Sequence, residues 1–214
     1  MKLTVFTLTL LLTVFSFKSD AQPDMTDTRS KRESFARLPK DGIRDEVSRF
    51  VLSGVDEAVG KGELKKLTSW SVAPGVFKLQ GGDSIKAAIT TTPFVAGKHK
   101  MEYDEKWLTK IDRKTYYGGY PDVPKTFISS VTMVVGKDTI AIPPVAYFDL
   151  YNLNFTYMDK AGVQRSRSGI FSSKDGKRLY LYLFCKDKTG NYEVTYIIQD
   201  KKFVRRVLDF GLMQ

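Results

Sequence analysis

The chain has 214 residues, 42% of them hydrophobic, with a formal net charge of +10, one cysteine and one histidine. That apolar content is too high for a disordered chain, and at this length folding buries roughly 70% of the unfolded surface without help from a metal or crosslink. Cys185 has no partner for an intramolecular disulfide, and one histidine with one cysteine cannot complete a tetrahedral zinc site, so disulfide scaffolds and zinc modules are excluded.

The chain opens on Lys2, an apolar run from Leu3 to Phe17 and the small-x-Ala triplet Ser19, Asp20, Ala21. This is the layout of a secretory signal peptide over residues 1–21, cut after Ala21. The run is too short and too rich in threonine for a span of about 20 residues. No later stretch is apolar enough, so no transmembrane segment is expected after signal removal. With Gln22 at the new N-terminus, the leader resembles those of exported proteins in Gram-negative bacteria of the Bacteroidetes type. That resemblance covers the leader alone and implies a periplasmic or extracellular location. Residues 22–37 carry Pro23, Asp24, Asp27, Arg29, Lys31, Arg32 and Glu33 with few apolar side chains, the composition of a flexible tether. Residues 38–214 then form one β-rich domain.

From Ile43 to Val59 apolar residues recur at helical spacing: Ile43, Val47, Phe50, Val51, Val55, Ala58 and Val59. This predicts one amphipathic helix ending near Gly60 to Gly62, with Gly54 as its weak point. Leu64 to Leu79 reads as short extended pieces broken at Pro74 and Gly75. Ile85 to Thr92 leans to a strand through its β-branched threonines. Residues 101–111 fit either period. Phe127 to Val135 and Thr139 to Ile142 flank Gly136, Lys137 and Asp138 as a hairpin stopped by Pro143 and Pro144, and a second hairpin turns at Asp159 to Gly162.

The C-terminal stretch from Arg178 to Phe210 predicts three consecutive antiparallel strands. Leu179 to Cys185 is an unbroken apolar run, as expected of a central strand covered on both faces. In the next strand Tyr192, Val194, Tyr196 and Ile198 alternate with Glu193, Thr195, Ile197 and Gln199, which predicts one face more buried than the other. The last, with Arg205 and Arg206 among apolar residues, suits an edge. Together these elements predict a mainly β fold, an antiparallel β-sandwich or open barrel with one N-terminal amphipathic helix. The alternative is α+β, a helix packed on a single antiparallel sheet.

No motif reaches a mechanism. Gly54 to Gly62 departs from the phosphate-loop spacing, and no Gly-x-Ser-x-Gly turn exposes a nucleophile. His99 lies between Lys98 and Lys100 and reads as a solvated loop residue, while Cys185 reads as a small buried hydrophobe. Glu102, Asp104, Glu105 and Asp149 are candidates for the paired acids of glycoside hydrolysis, as any acid-containing chain would supply. The most unusual composition is Tyr116, Tyr117, Gly118, Gly119, Tyr120, where three tyrosines offer flat faces and hydroxyls to a sugar ring or partner chain. Tyr116, Tyr117 and Tyr120 are therefore the candidate ligand-binding residues, with no catalytic or metal-binding residue and no cofactor expected. The basic balance favours a glycan, an anionic envelope surface or another exported protein as partner. Export and the scatter of the lysines and arginines argue against nucleic acid. The expectation is an exported non-catalytic binding or interaction module; the alternative is a carboxylate-dependent hydrolase acting on envelope or external polysaccharide.

Overall fold

The computed structural model describes residues 32–119, 121–186 and 191–211, so the leader expected over 1–21 and Tyr120 lie outside the described residues. In chain order the strands are β1 (Lys65–Lys66), β2 (Thr68–Ala73), β3 (Val76–Gly81), β4 (Ile85–Pro93), β5 (Met101–Asp104), β6 (Trp107–Ile111) and β7 (Thr126–Val135). They continue with β8 (Asp138–Ile140), β9 (Tyr157–Met158), β10 (Gln164–Arg165), β11 (Gly169–Ser172), β12 (Arg178–Lys186), β13 (Asn191–Gln199) and β14 (Lys202–Phe210). One five-stranded sheet has the order β1-β11-β12-β13-β14 and the other β2-β3-β4-β7-β8, with every pairing antiparallel. The two face each other over one core and do not close, so the fold is a sandwich rather than an open barrel or a single sheet.

The middle strand of the first sheet is β12, and its continuous apolar run has a simple cause. Leu181, Leu183 and Cys185 point into the core shared with Leu79, Ile89 and Met133 of the second sheet. Tyr180, Tyr182 and Phe184 point the other way, onto a second core built with Phe35, Leu38, Val47 and Val51. Each fully buried leucine contributes about 1.5–3 kcal/mol. The sheet is covered on both faces, so period-two alternation has no polar side to show. The same layer buries the second face of β13. Glu193, Thr195 and Ile197, expected on its less buried side, are all inside.

That covering layer differs from the single helix expected between Ile43 and Gly60. It is built from α1 (Gly42–Ser48), capped by the Asp41 carboxylate on the N–H groups of Ile43 and Arg44, a 3₁₀ turn (Leu52–Gly54) and α2 (Val55–Ala58). The break falls at Val51, which is extended at φ −87°, ψ 146°. Its cause is Glu193. This buried carboxylate accepts the N–H groups of Leu52 and Ser53, both at 2.9 Å, the Ser53 hydroxyl at 2.7 Å and the Tyr182 hydroxyl at 2.7 Å. The two N–H groups that would have continued the helix are donated to the sheet instead. Val55 and Val59, placed on the apolar side by the sequence pattern, are consequently 57% and 81% exposed.

The tether expected over 22–37 also needs correction where it is described. Phe35 is buried among the residues of this layer, its N–H donates to Asp209, and the Glu33 carbonyl accepts the N–H of Leu208 on β14. Polar residues dominate this segment by count, but its one aromatic ring and its backbone seal the edge of the sheet. A further latch joins α1 to β12, where Arg178 donates twice to Glu46 at 2.9 Å and the Tyr180 hydroxyl donates to the same carboxylate.

Burial pushes the phenols of Tyr180, Tyr182, Tyr192 and Tyr196 above their ordinary value near 10, with Glu46 adding to the rise at Tyr180 and Glu193 at Tyr182. Above about pH 10 the unfolded chain therefore loses phenol protons that the folded chain keeps, and folding stability falls as pH rises. The unfolding free energy should be flat between about pH 8 and 9.5, then drop by about 1.4 kcal/mol per pH unit for each such tyrosine. Urea titrations across this range check it, and the buried tyrosines' phenolate absorbance should appear with unfolding rather than before it.

Candidate functional site

The largest departure from regular strand pairing is the segment 94–125 between β4 and β7, which carries the β5–β6 hairpin and the tyrosine-glycine loop. It packs against residues 143–151, which follow β8, through a small core of Leu108, Ile111, Tyr116 and Tyr151. The two segments are laced by backbone, Tyr117 donating to Asp149 O and Tyr151 to Tyr117 O, while Ile128 of β7 donates to Leu150 O, all at 2.8–3.0 Å. Gly118 makes this possible. At φ +97° it adopts a conformation glycine tolerates, and a Cβ there would sit 1.9 Å from Tyr151 O.

Between these segments lies a cleft of about 350 Å³. Its aromatic side is formed by Tyr147, Phe148, Tyr151 and Phe127, and its polar rim by His99, Asp112, Lys114 and Asp149. Phe148 and Tyr147 follow the 3₁₀ turn Pro144–Ala146, which is started by the same two prolines that stop the preceding strand. Phe94 stacks on His99 at 4.5 Å and meets Tyr151 edge-on at 5.5 Å. The Lys114 ammonium sits 4.1 Å from the centre of the Phe148 ring.

His99 is not the solvated residue its neighbours suggested. Its Nδ1 lies 2.8 Å from Asp112 Oδ2, while Asp112 Oδ1 accepts the Lys100 N–H at 2.9 Å. The hydrogen bond from His99, with that from Lys100, holds the Asp112 carboxyl below the usual carboxylate range. Asp149 is tied more deeply. Both its oxygens accept from Arg206, which also donates to Ala146 O and to Glu33. Arg206, read from sequence as an edge-strand arginine, is 8% exposed and pins the cleft loop onto β14. Behind this pair the Tyr196 hydroxyl is buried without a hydrogen-bond partner among the described residues.

Tyr151 belongs to the aromatic side of the cleft. The residue is 7% exposed and lines the cleft, and its hydroxyl has no hydrogen-bond partner among the described residues. Burial, with the negative charges of Asp112 and Asp149, pushes its phenol up to about 12. At neutral pH the phenol therefore keeps its proton.

Of the three tyrosines expected to bind a ligand, the two described ones do not offer open faces to solvent. Tyr116 and Tyr117 are 1% and 5% exposed. Tyr116 lines the cleft and its hydroxyl donates to the carbonyls of Leu108 and Asp122, and Tyr117 joins the sandwich core against Phe210. The glycines turn the chain tightly, but they turn the rings inward, because the open end of the sandwich needs apolar filling. Tyr120 lies outside the described residues. Of the four candidate acids only Asp149 reaches the cleft: Glu102 pairs with Lys110 at 3.6 Å, and Asp104 and Glu105 are exposed at the β5–β6 turn. Asp112, which no sequence signal marked, takes the second acidic position. Among the described residues no cluster of three metal-ligating side chains occurs, and no helix is long and apolar enough to cross a membrane. No protein-family model, no curated protein and no solved structure matches the chain.

Proposed function

We propose that the protein is an exported, non-catalytic binding or interaction module, and that the cleft between residues 94–125 and 143–151 holds a glycan unit of the cell envelope or its surroundings. The leader composition supports export. The observation that supports the ligand class is the Tyr151 side chain, which lines a cleft also walled by Tyr147 and Phe148 and whose hydroxyl has no hydrogen-bond partner among the described residues. A sugar ring presents an apolar C–H face to aromatic rings and a girdle of hydroxyls to fixed donors and acceptors. Here Tyr151 and Lys114 donate, and Asp112 accepts. The arrangement of the acids supports binding over hydrolysis. Two-carboxylate hydrolysis needs one acid that carries a proton, whereas Asp112 is held ionised and both oxygens of Asp149 are engaged by Arg206.

A glycan array screened with the chain from Gln22 at low and high salt tests this. Specific sugars should be retained at high salt, since the cleft recognises hydroxyls rather than net charge. Phe148→Ala and Tyr151→Phe should each weaken binding about tenfold, the loss of about 1.4 kcal/mol expected for one aromatic face or one buried hydrogen bond. Unchanged binding in both variants, or no sugar retained, overturns the reading. The second reading, a hydrolase of envelope or external polysaccharide, draws on Asp112 and Asp149 sharing one cleft. Release of new reducing ends, abolished by Asp112→Asn, would carry it over the first.

A further inference from the structure

The hairpin β9–β10 belongs to neither sheet; its two strands pair only with each other. A two-stranded ribbon is marginal in water unless something holds it. Its base is held. Phe155 is buried and stacks on Phe77 at 4.6 Å, Ser166 Oγ donates to Phe155 O at 2.7 Å, and the Lys186 N–H donates to Asn154 O. Its turn is also rigid, because the Asp159 carboxylate accepts the N–H groups of Ala161 and Val163, both at 2.9 Å. The residues flanking that turn are apolar and open: Tyr157 is 38% exposed, Met158 64% and Val163 46%. Scattered exposed apolar residues are ordinary, but three within seven residues of a stiff projection are not.

The charge of the hairpin is predominantly positive. Residues 154–167 contain Lys160, Arg165 and Arg167 against the single carboxylate of Asp159, which is taken by Arg165 Nε at 2.9 Å. Lys160 and Arg167 have no ion pair among the described residues, and neither has Lys186 at the hairpin base. Arg167 is exposed, with its guanidinium 5.5 Å from the centre of the Phe184 ring.

We infer that the β9–β10 hairpin is a docking element for an anionic lipid surface, with Tyr157, Met158 and Val163 entering the headgroup boundary and Lys160, Arg167 and Lys186 meeting phosphate. A protein groove complementary to the apolar residues would not require cations without ion pairs on the same hairpin. A polyanion in solution would not require the apolar residues. An interface that is greasy inside and negatively charged at its rim uses both, and a tyrosine beside the apolar residues suits the boundary between them.

Vesicle co-sedimentation tests the inference with the chain from Gln22, which contains every residue of both sheets and of the helical layer. The probes are phosphatidylcholine vesicles with and without one-third phosphatidylglycerol. Binding should require the anionic lipid and fall at high salt. Met158→Asp with Val163→Asp should weaken it at least about tenfold by removing apolar insertion, and Lys160→Glu with Arg167→Glu should do the same through charge. Both pairs are surface changes and should leave the thermal midpoint within a few degrees of wild type. Equal sedimentation with neutral vesicles, or binding that survives Met158→Asp with Val163→Asp, overturns the inference. So does a concentration-dependent dimer that these aspartates abolish in a chain that ignores vesicles, which would make the hairpin a contact with a second copy. Glycan retention should be unchanged in all hairpin variants, so failure here is separable from failure of the cleft reading.

Discussion

Replacing Glu193 with alanine should lower the unfolding free energy by about 3–5 kcal/mol, the cost of removing one partner from a buried charged network. Four donors converge on this carboxylate from two layers: the N–H groups of Leu52 and Ser53, the Ser53 hydroxyl and the Tyr182 hydroxyl. With the acceptor gone, the donors on the helical layer must find water by lifting off the sheet, which would expose the apolar core of Phe35, Val47 and Val51 beneath. Glutamine is the informative control. It keeps the shape but turns one acceptor into a donor that faces other donors, so about half of the loss should remain. Equilibrium urea unfolding measures both, and amide exchange at Leu52 and Ser53 should quicken in the alanine variant. A loss under about 1 kcal/mol would show that the layer docks by apolar contact alone.

Arg206→Met should cost about 3–5 kcal/mol for the related reason that it strands Asp149, whose side chain is 12% exposed, without its counter-ion. The effect should reach the cleft as well. Arg206 holds Asp149 and the Ala146 carbonyl, so it fixes the loop that presents Tyr147 and Phe148. Asp149→Leu together with Arg206→Met removes both charges and should recover most of the lost stability, because a buried ion pair and a packed apolar pair of similar volume are nearly equivalent. Urea unfolding of the two single variants and the double variant gives the coupling. If the double variant equals the sum of the singles, the two residues are independent and the clamp is not real.

The hairpin of β7 and β8, the strand β4 and the three C-terminal strands β12 to β14 follow from periodicity and turn chemistry, with ends shifted by a residue or two. Residues 101–111 were ambiguous in period and form a hairpin, because both edges of that ribbon answer to the small core around Leu108 and Ile111 rather than to an intrinsic preference. The N-terminal segment shows the opposite failure. Its helical period is present through Val51 and then loses to the pull of Glu193, a residue about 140 positions away. The tyrosine loop was legible as a tight turn but not in its direction, since whether a ring faces water or core depends on which end of the sandwich lacks filling.

What the sequence determined by itself depends on neighbours along the chain: the strands β4, β7, β8 and β12 to β14, their turns, and the double-sided burial of Leu179 to Cys185. What only tertiary structure decided were the meetings of remote residues. His99 with Asp112, Arg206 with Asp149 and Glu33, and Glu193 with Leu52 and Ser53 are each joined by sheet order and register. The physical reason is range. Dihedral preference and side-chain alternation act over a few residues, whereas a charge excluded from water must find its partner wherever the fold brings one within reach.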